Sequence, residues 1–136
     1  MNSVGQIEVS IKSEGDIVAA RRTVRDAAIQ VGFGITDVTR IVTAASELAR
    51  NVFKYAGEGV MTWRQLEEPG RVGIELRFID QGPGIADVQL ALQEGYSTGA
   101  GLGLGLPGAK RLMDEIDIRS APGRGTTITL KKWRMI

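Results

Sequence analysis

The stretch Thr43-Ala-Ala-Ser-Glu47-Leu-Ala-Arg-Asn51-Val-Phe-Lys-Tyr-Ala-Gly57 decides how the rest of the chain is read. As a helix it sets the carboxylate of Glu47 and the amide of Asn51 one turn apart on one face. Val38, Ile41, Ala45, Leu48 and Val52 step by 3, 4, 3 and 4, the spacing of a buried seam on a neighbouring face. One helix thus offers a core side and, beside it, an acid and an amide aimed elsewhere.

Downstream, Asp80-Gln-Gly82-Pro-Gly84 follows a strand ending in Phe78 and Ile79, and Gly99-Ala-Gly101-Leu-Gly103-Leu-Gly105 leads into a helical pattern. A carboxylate at a strand end, beside glycines that let a ring approach the backbone, can accept a hydrogen bond from the amino group of adenine. Guanine presents an acceptor there, so such an aspartate selects ATP over GTP. Taken singly, Asp80 also fits an ordinary Asp–Gly turn, and Glu47 with Asn51 fits a solvated helix face.

Two familiar templates fail on the glycine run. Gly103 to Gly108 matches the dinucleotide spacing but lacks a preceding strand and an acidic residue about 20 positions on. It nearly fits a Walker A loop, yet Ala109 stands where the lysine belongs. What remains is general: open glycine amides and a helix N-terminus attract phosphate, and so many glycines make a lid. Magnesium takes most of its ligands from water and triphosphate, so the neutral oxygen of Asn51 suffices for it. Glu47 then lies near the terminal phosphate, able to take a proton from an attacking hydroxyl or water.

Working outward, Ile7, Val9 and Ile11 alternate with polar residues as a first strand. Ser13 to Asp16 offers capping groups for a helix whose Ile17, Ala20, Val24, Ala27 or Ala28, and Val31 form one face, ending at Gly32. Its other face carries Arg21, Arg22 and Arg25, either a solvated surface or a partner-binding patch. Thr36 or Asp37 is expected to cap the central helix, which runs to Gly57. Segments 60–67 and 71–79 flank Glu68-Pro69-Gly70 as a hairpin, with Val72, Ile74, Leu76 and Phe78 on one face. Segment 87–94 reads as a short helix. Leu102, Leu106, Ala109, Met113 and Ile116 predict a third long helix, with Pro107 in its first turn. Segments 116–121 and 126–133 read as strands. The order does not alternate as a doubly wound sheet would. It fits an α+β sandwich, one largely antiparallel sheet covered on one face by three helices.

Composition narrows the function. At 136 residues the chain reads as one domain spanning 1–136. With 17 basic and 16 acidic residues, no nucleic-acid or membrane partner is expected. Having neither cysteine nor histidine, it has no disulfide, no thiolate or imidazole metal site, no Ser-His-Asp triad and no phosphohistidine. Charged residues within the first apolar run argue against a signal peptide, no stretch is apolar enough to span a bilayer, and a cytoplasmic protein is expected. Of the 18 glycines, six fall between Gly95 and Gly108, so the excess is local.

ELARN (47–51), DQGPG (80–84), GLGLG (101–105) and GTT (125–127) resemble the N-box, adenine-binding and lid signatures of the GHKL ATPases. The family's Bergerat α/β sandwich, with a mostly antiparallel mixed sheet, agrees with the element order. Within it, phrases such as DIVAAR, GFG and GLPGAKRLMDE look closest to the small serine/threonine kinases of partner-switching modules, the stressosome switch kinases. That resemblance implies Glu47 as catalytic base, Asn51 as magnesium ligand and nucleotide contact, and Asp80, Gly82 and Gly84 around adenine. It implies Gly99, Gly101, Leu102, Gly103, Leu104 and Gly105 in the lid, and Thr126 helping to hold adenine. The implied substrates are serine or threonine hydroxyls of STAS-domain partners, an antagonist and stressosome scaffold proteins. The released kinase then activates an effector such as a phosphatase. The alternatives are a nucleotide-dependent anti-sigma factor or binding switch with little turnover, and a simple ATP hydrolase. Pro107-Gly108 departs from the residues common in histidine kinases.

Overall fold

The computed structural model describes residues 7–85, 87 and 105–136. The chain runs β1 (Ile7–Ile11), α1 (Glu14–Val31), α2 (Ile35–Asn51), a π-helical turn (Val52–Ala56), β2 (Gly59–Glu68), β3 (Arg71–Asp80), α3 (Leu106–Leu112), β4 (Glu115–Ser120) and β5 (Thr126–Met135).

Local chemistry accounts for the first helix. Ser13 caps α1, its Oγ accepting from the Asp16 N–H at 3.1 Å, while the Asp16 carboxylate accepts from the Lys12 N–H at 2.8 Å. That reciprocal pair satisfies donors that a helix start leaves free. The helix ends at Gly32 in the left-handed region, and Gly32 and Phe33 both donate back to Ala28. Phe33 is thereby turned into the core. The next helix follows at once, and its N-cap is Gly34 with no side-chain cap bond. The cap expected at Thr36 or Asp37 is therefore displaced, because burial of Phe33 starts the helix earlier. Thr39 donates instead to the Ile35 carbonyl, and Asp37 pairs with Arg40.

The five strands form one sheet in the order β1-β2-β3-β5-β4, and every described pairing is antiparallel. No parallel pair occurs among the described residues. Gly70 takes the positive φ that closes the β2–β3 hairpin. One sheet face is covered by the three described helices. Ile74, Leu76 and Phe78 of β3, Met61 of β2 and Leu130 of β5 meet Val24 and Ala28 of α1 and Ile41, Ala45 and Leu48 of α2 in one buried cluster. The seam read from the central helix is that core contact, as is the Ile17-to-Val31 face of α1.

The third helix is shorter than its pattern predicts. It closes at Leu112, and Ile116 lies in β4. Strand pairing wins over helical period here for a visible reason. The Asp114 N–H donates to the Lys131 carbonyl, and the Asp114 carboxylate accepts from the Trp133 N–H at 2.7 Å. Lys132, nearly buried, donates to the last helical carbonyl at Leu112 (3.0 Å), with Asp114 at 3.6 Å and Asp37 at 3.9 Å. A cation at a helix C-terminus satisfies both the free carbonyl and the dipole. One amine thus ties the end of α3 to the start of α2. The expected segment 87–94 and the first part of the glycine run lie outside the described residues.

Candidate active site

The central helix changes character at Asn51. After Glu47, one turn earlier on the face beside the core, the backbone passes from α into the π turn, which ends at Gly57 with φ 83°. Widened turns of this kind occur often at functional sites. The packing at hand shows what holds this one. Val52 is buried against Gly59, and a methyl group placed on Gly82 would come within 2.7 Å of the Ala56 Cβ. The π turn therefore seats directly on the Asp80-Gln-Gly-Pro-Gly turn.

Glu47 is open to solvent, its side chain 44% exposed, with one oxygen 3.5 Å from Arg50. It also meets the far end of the glycine run. Gly105 stands with φ 70°, and a side chain there would approach the Glu47 carboxylate to 3.1 Å. Only glycine combines that backbone with that space. The helix entered from the glycine run thus begins against Glu47. Asn51, half-buried, closes α2 between Glu47 and the π turn. Among the described residues no cluster of acids forms a metal cage. Magnesium that arrives with its own waters and phosphates needs few protein ligands, and the amide oxygen of Asn51 is of the neutral kind it accepts.

Asp80 terminates β3 between Gly59 of β2 and Thr126 of β5. Its Oδ1 accepts from the Gly82 N–H at 2.8 Å, and the Thr126 N–H also donates to the carboxylate. Burial raises its pKa above the ordinary aspartate value, and the two backbone donors only partly offset this. Gly84, at φ 81°, packs where a side chain would strike the Ala121 carbonyl, which locks the turn onto the β4–β5 connection. Thr126 is buried beside Asp80.

The structure thus brings Glu47 to Gly105, and the π turn after Asn51 to Gly82. It sets Asp80 beside Thr126 and Gly84 beside Ala121. Gly99, Gly101, Leu102, Gly103 and Leu104 lie outside the described residues. A cleft of about 620 Å3 lies elsewhere, on the uncovered sheet face, lined among others by Glu75, Arg77 and Lys131. It contains no residue of the predicted site.

Sequence reasoning missed Ser120. Its hydroxyl accepts from the Ile85 N–H at 2.8 Å, donates to the Gly125 carbonyl at 2.9 Å and lies 2.8 Å from Thr126 Oγ1. It pins the turn after Asp80 to the strand carrying Thr126. Lys54 follows Asn51 in the π turn. It is an exposed cation three residues beyond Asn51, with its amine 5.2 Å from the centre of the Tyr55 ring.

Comparison with known proteins places the chain in a family. Residues 36–135 match the family described as histidine kinase-, DNA gyrase B- and HSP90-like ATPase. The chain belongs to that ATPase family. Among its relatives is the serine/threonine-protein kinase RsbT of Bacillus subtilis, 50% identical over 92% of this chain and 94% of the relative. The anti-sigma F factor of Caldanaerobacter subterraneus subsp. tengcongensis is 31% identical over 97% of this chain and 94% of the relative. In three dimensions the chain resembles a protein in the SiaB–SiaC complex of Pseudomonas aeruginosa, at a TM-score of 0.58 and 12% identity, covering 97% of this chain and 91% of that one. That last likeness concerns the fold. As a member of this ATPase family the chain is a nucleotide-binding protein, and by its relationship to the first relative it is an enzyme of the serine/threonine-protein kinase kind. Among the described residues no helix is long and apolar enough to cross a membrane.

Proposed function

We propose that the chain is a single-domain, ATP- and magnesium-dependent kinase that phosphorylates serine or threonine hydroxyls on STAS-domain partners in a bacterial partner-switching module. Those partners are an antagonist and the scaffold proteins of a stressosome, and the released kinase activates an effector such as a phosphatase.

The observation that carries this reading is the position of Glu47. It is an exposed carboxylate lying where the glycine run enters α3. A base there is reachable by a hydroxyl on another protein, and glycine at 105 keeps the space beside it free of a side chain, room that a phosphate at the start of α3 would use. Asp80 and Thr126 hold the adenine end, with Gly82 and Gly84 as its wall. The lid glycines and leucines (99 and 101–105) cover the phosphates. Asn51 holds the magnesium, which, when bound, neutralises charge on the transferring phosphate. Lys54 adds a positive charge at the same end of α2.

Label transfer from γ-labelled ATP to a STAS-domain antagonist tests the reading. Glu47→Gln is expected to lower transfer about 100-fold or more while ATP still binds. Undiminished transfer by that variant would remove Glu47 as base.

A second reading, a nucleotide-set anti-sigma factor or binding switch with little turnover, has an observation of its own. Arg21, Arg22 and Arg25 are exposed on α1, and the three form no ion pair among the described residues. The anti-sigma relative supports it as well. Pull-downs with a sigma factor and with an antagonist, in ATP and in ADP, separate the two. Tight sigma-factor capture without label transfer favours the switch.

A further inference from the structure

Ser120 closes β4 with three polar neighbours, and the count of protons among them has a consequence. A serine hydroxyl carries one proton and two lone pairs. The Ile85 N–H takes one lone pair at 2.8 Å. Two oxygen–oxygen contacts remain, to the Gly125 carbonyl at 2.9 Å and to Thr126 Oγ1 at 2.8 Å. Oxygens this close need a proton between them. The carbonyl has none, so the Ser120 proton goes to Gly125. The contact with Thr126 must then use the threonine's own proton. Ser120 is saturated, and Thr126 Oγ1 keeps only lone pairs to show elsewhere.

We propose that Ser120 is a positioning residue for base specificity, holding the Thr126 proton so that Thr126 Oγ1 is an acceptor beside the Asp80 carboxylate. The proposal rests on the reading that Asp80 and Thr126 hold the purine. Asp80 and Thr126 are register partners on β3 and β5, and the Thr126 N–H is already spent on the carboxylate. Two neighbouring strands therefore present acceptors side by side. An amino group, or a water donating between base and threonine, satisfies them. A purine carrying an exocyclic oxygen at that position meets acceptors only. Without the Ser120 oxygen the threonine hydroxyl is free to rotate and donate, which accommodates that oxygen. Part of the choice between ATP and GTP is thus made by a side chain that does not touch the nucleotide.

The test is equilibrium titration of the full chain with fluorescent ATP and GTP analogues. The unaltered protein is expected to favour ATP. Ser120→Ala is expected to reduce the ATP-to-GTP affinity ratio roughly tenfold. Ser120→Cys, which keeps the volume but only a weak acceptor, moves the ratio the same way and serves if the alanine variant does not fold. In a Thr126→Val background, Ser120→Ala should leave the ratio where Thr126→Val puts it. Equal weakening of both nucleotides by the alanine and cysteine variants, with the ratio intact, marks a merely structural serine and overturns the proposal. If Asp80→Asn abolishes the preference in that same case, the adenine reading stands without Ser120. A parent chain with no preference for ATP overturns both.

Discussion

Strand β3 carries two withdrawn carboxylates five residues apart, and they are treated in opposite ways. Glu75, in mid-strand on the uncovered face, has a side chain only 4% exposed. Arg64 grips it from β2 through two hydrogen bonds, 2.9 and 3.2 Å, and Arg77 adds a contact at 3.8 Å. Burial pushes its pKa up, but the Arg64 guanidinium, helped by Arg77 and Lys131, outweighs burial and leaves it below the usual glutamate value. Asp80, at the strand end, has no cation among the causes acting on it. It is held by two backbone N–H groups, and burial leaves its pKa raised. A charge that only has to be stored is given a counterion. A carboxylate raised by burial and held only by backbone donors keeps acceptor capacity that a ligand's donor could use, as the proposed adenine role of Asp80 requires.

That contrast predicts separable effects. The largest belongs to Asp80→Asn. The amide can still accept from Gly82, so the fold is expected to survive, but ATP affinity should fall about 10- to 100-fold, the value of a hydrogen bond to a charged group. Titration with ATP, set beside the melting midpoint of the free protein, checks this. An Asp80→Asn chain that binds ATP as before would make Asp80 a structural turn residue and erase the contrast. The next effect is the mirror image. Arg64→Met leaves the Glu75 charge without its main partner. Since Arg64 is itself 49% exposed and solvent screens the pair, the expected loss is about 1–2 kcal/mol. Urea unfolding measures it, and ATP affinity should stay unchanged. Loss of ATP binding in Arg64→Met would show that the two ends of β3 are coupled.

Much of this was legible in the sequence because it depends on short spacings. The apolar faces of α1 and α2, the β2–β3 hairpin at Pro69-Gly70 and the Asp80 turn are encoded within a few residues of themselves. What stayed hidden depends on distant partners. The π turn is held by Val52 on Gly59 and Ala56 on Gly82, contacts that no helical period announces. Ile116 fits the helical series, yet Asp114 binding Lys131 and Trp133 draws that segment into β4. Ser120 is bonded to Ile85 across 35 positions, and its only local sign was a place just before the Ala-Pro-Gly turn. Glu75 reads as one of the polar alternates of β3, and nothing nearby reveals that its carboxylate is buried. The motif residues 47, 51 and 80 were named from short spacings alone, and the structure sets Glu47 one turn inside α2, Asn51 at its last residue and Asp80 at the end of β3.

The smallest expected effect separates the two carboxylates by the sign of their pH dependence. Glu75 has a lowered pKa in the fold, so its contribution is fully present above the unfolded glutamate pKa. It fades as pH falls through the lower folded value. Asp80 has a raised pKa, so the folded chain binds that proton more tightly than the unfolded chain does. Its ionised form therefore costs stability at neutral pH, and the cost vanishes as pH falls through the raised pKa towards the unfolded one. Glu75→Gln should accordingly destabilise at pH 7, with the difference from the parent shrinking in acid. Asp80→Asn should be neutral to slightly stabilising at pH 7, and its difference should shrink in acid as well, but from the other side. With Asp80 in its proposed adenine role, ATP binding should weaken at a pH above the ordinary aspartate range, and the Glu75→Gln variant should share that profile with the parent. Urea midpoints and ATP titrations across the acid range read all four curves. Two stability differences of the same sign would mean that the Gly82 and Thr126 donors outweigh burial at Asp80, leaving it a stored charge like Glu75.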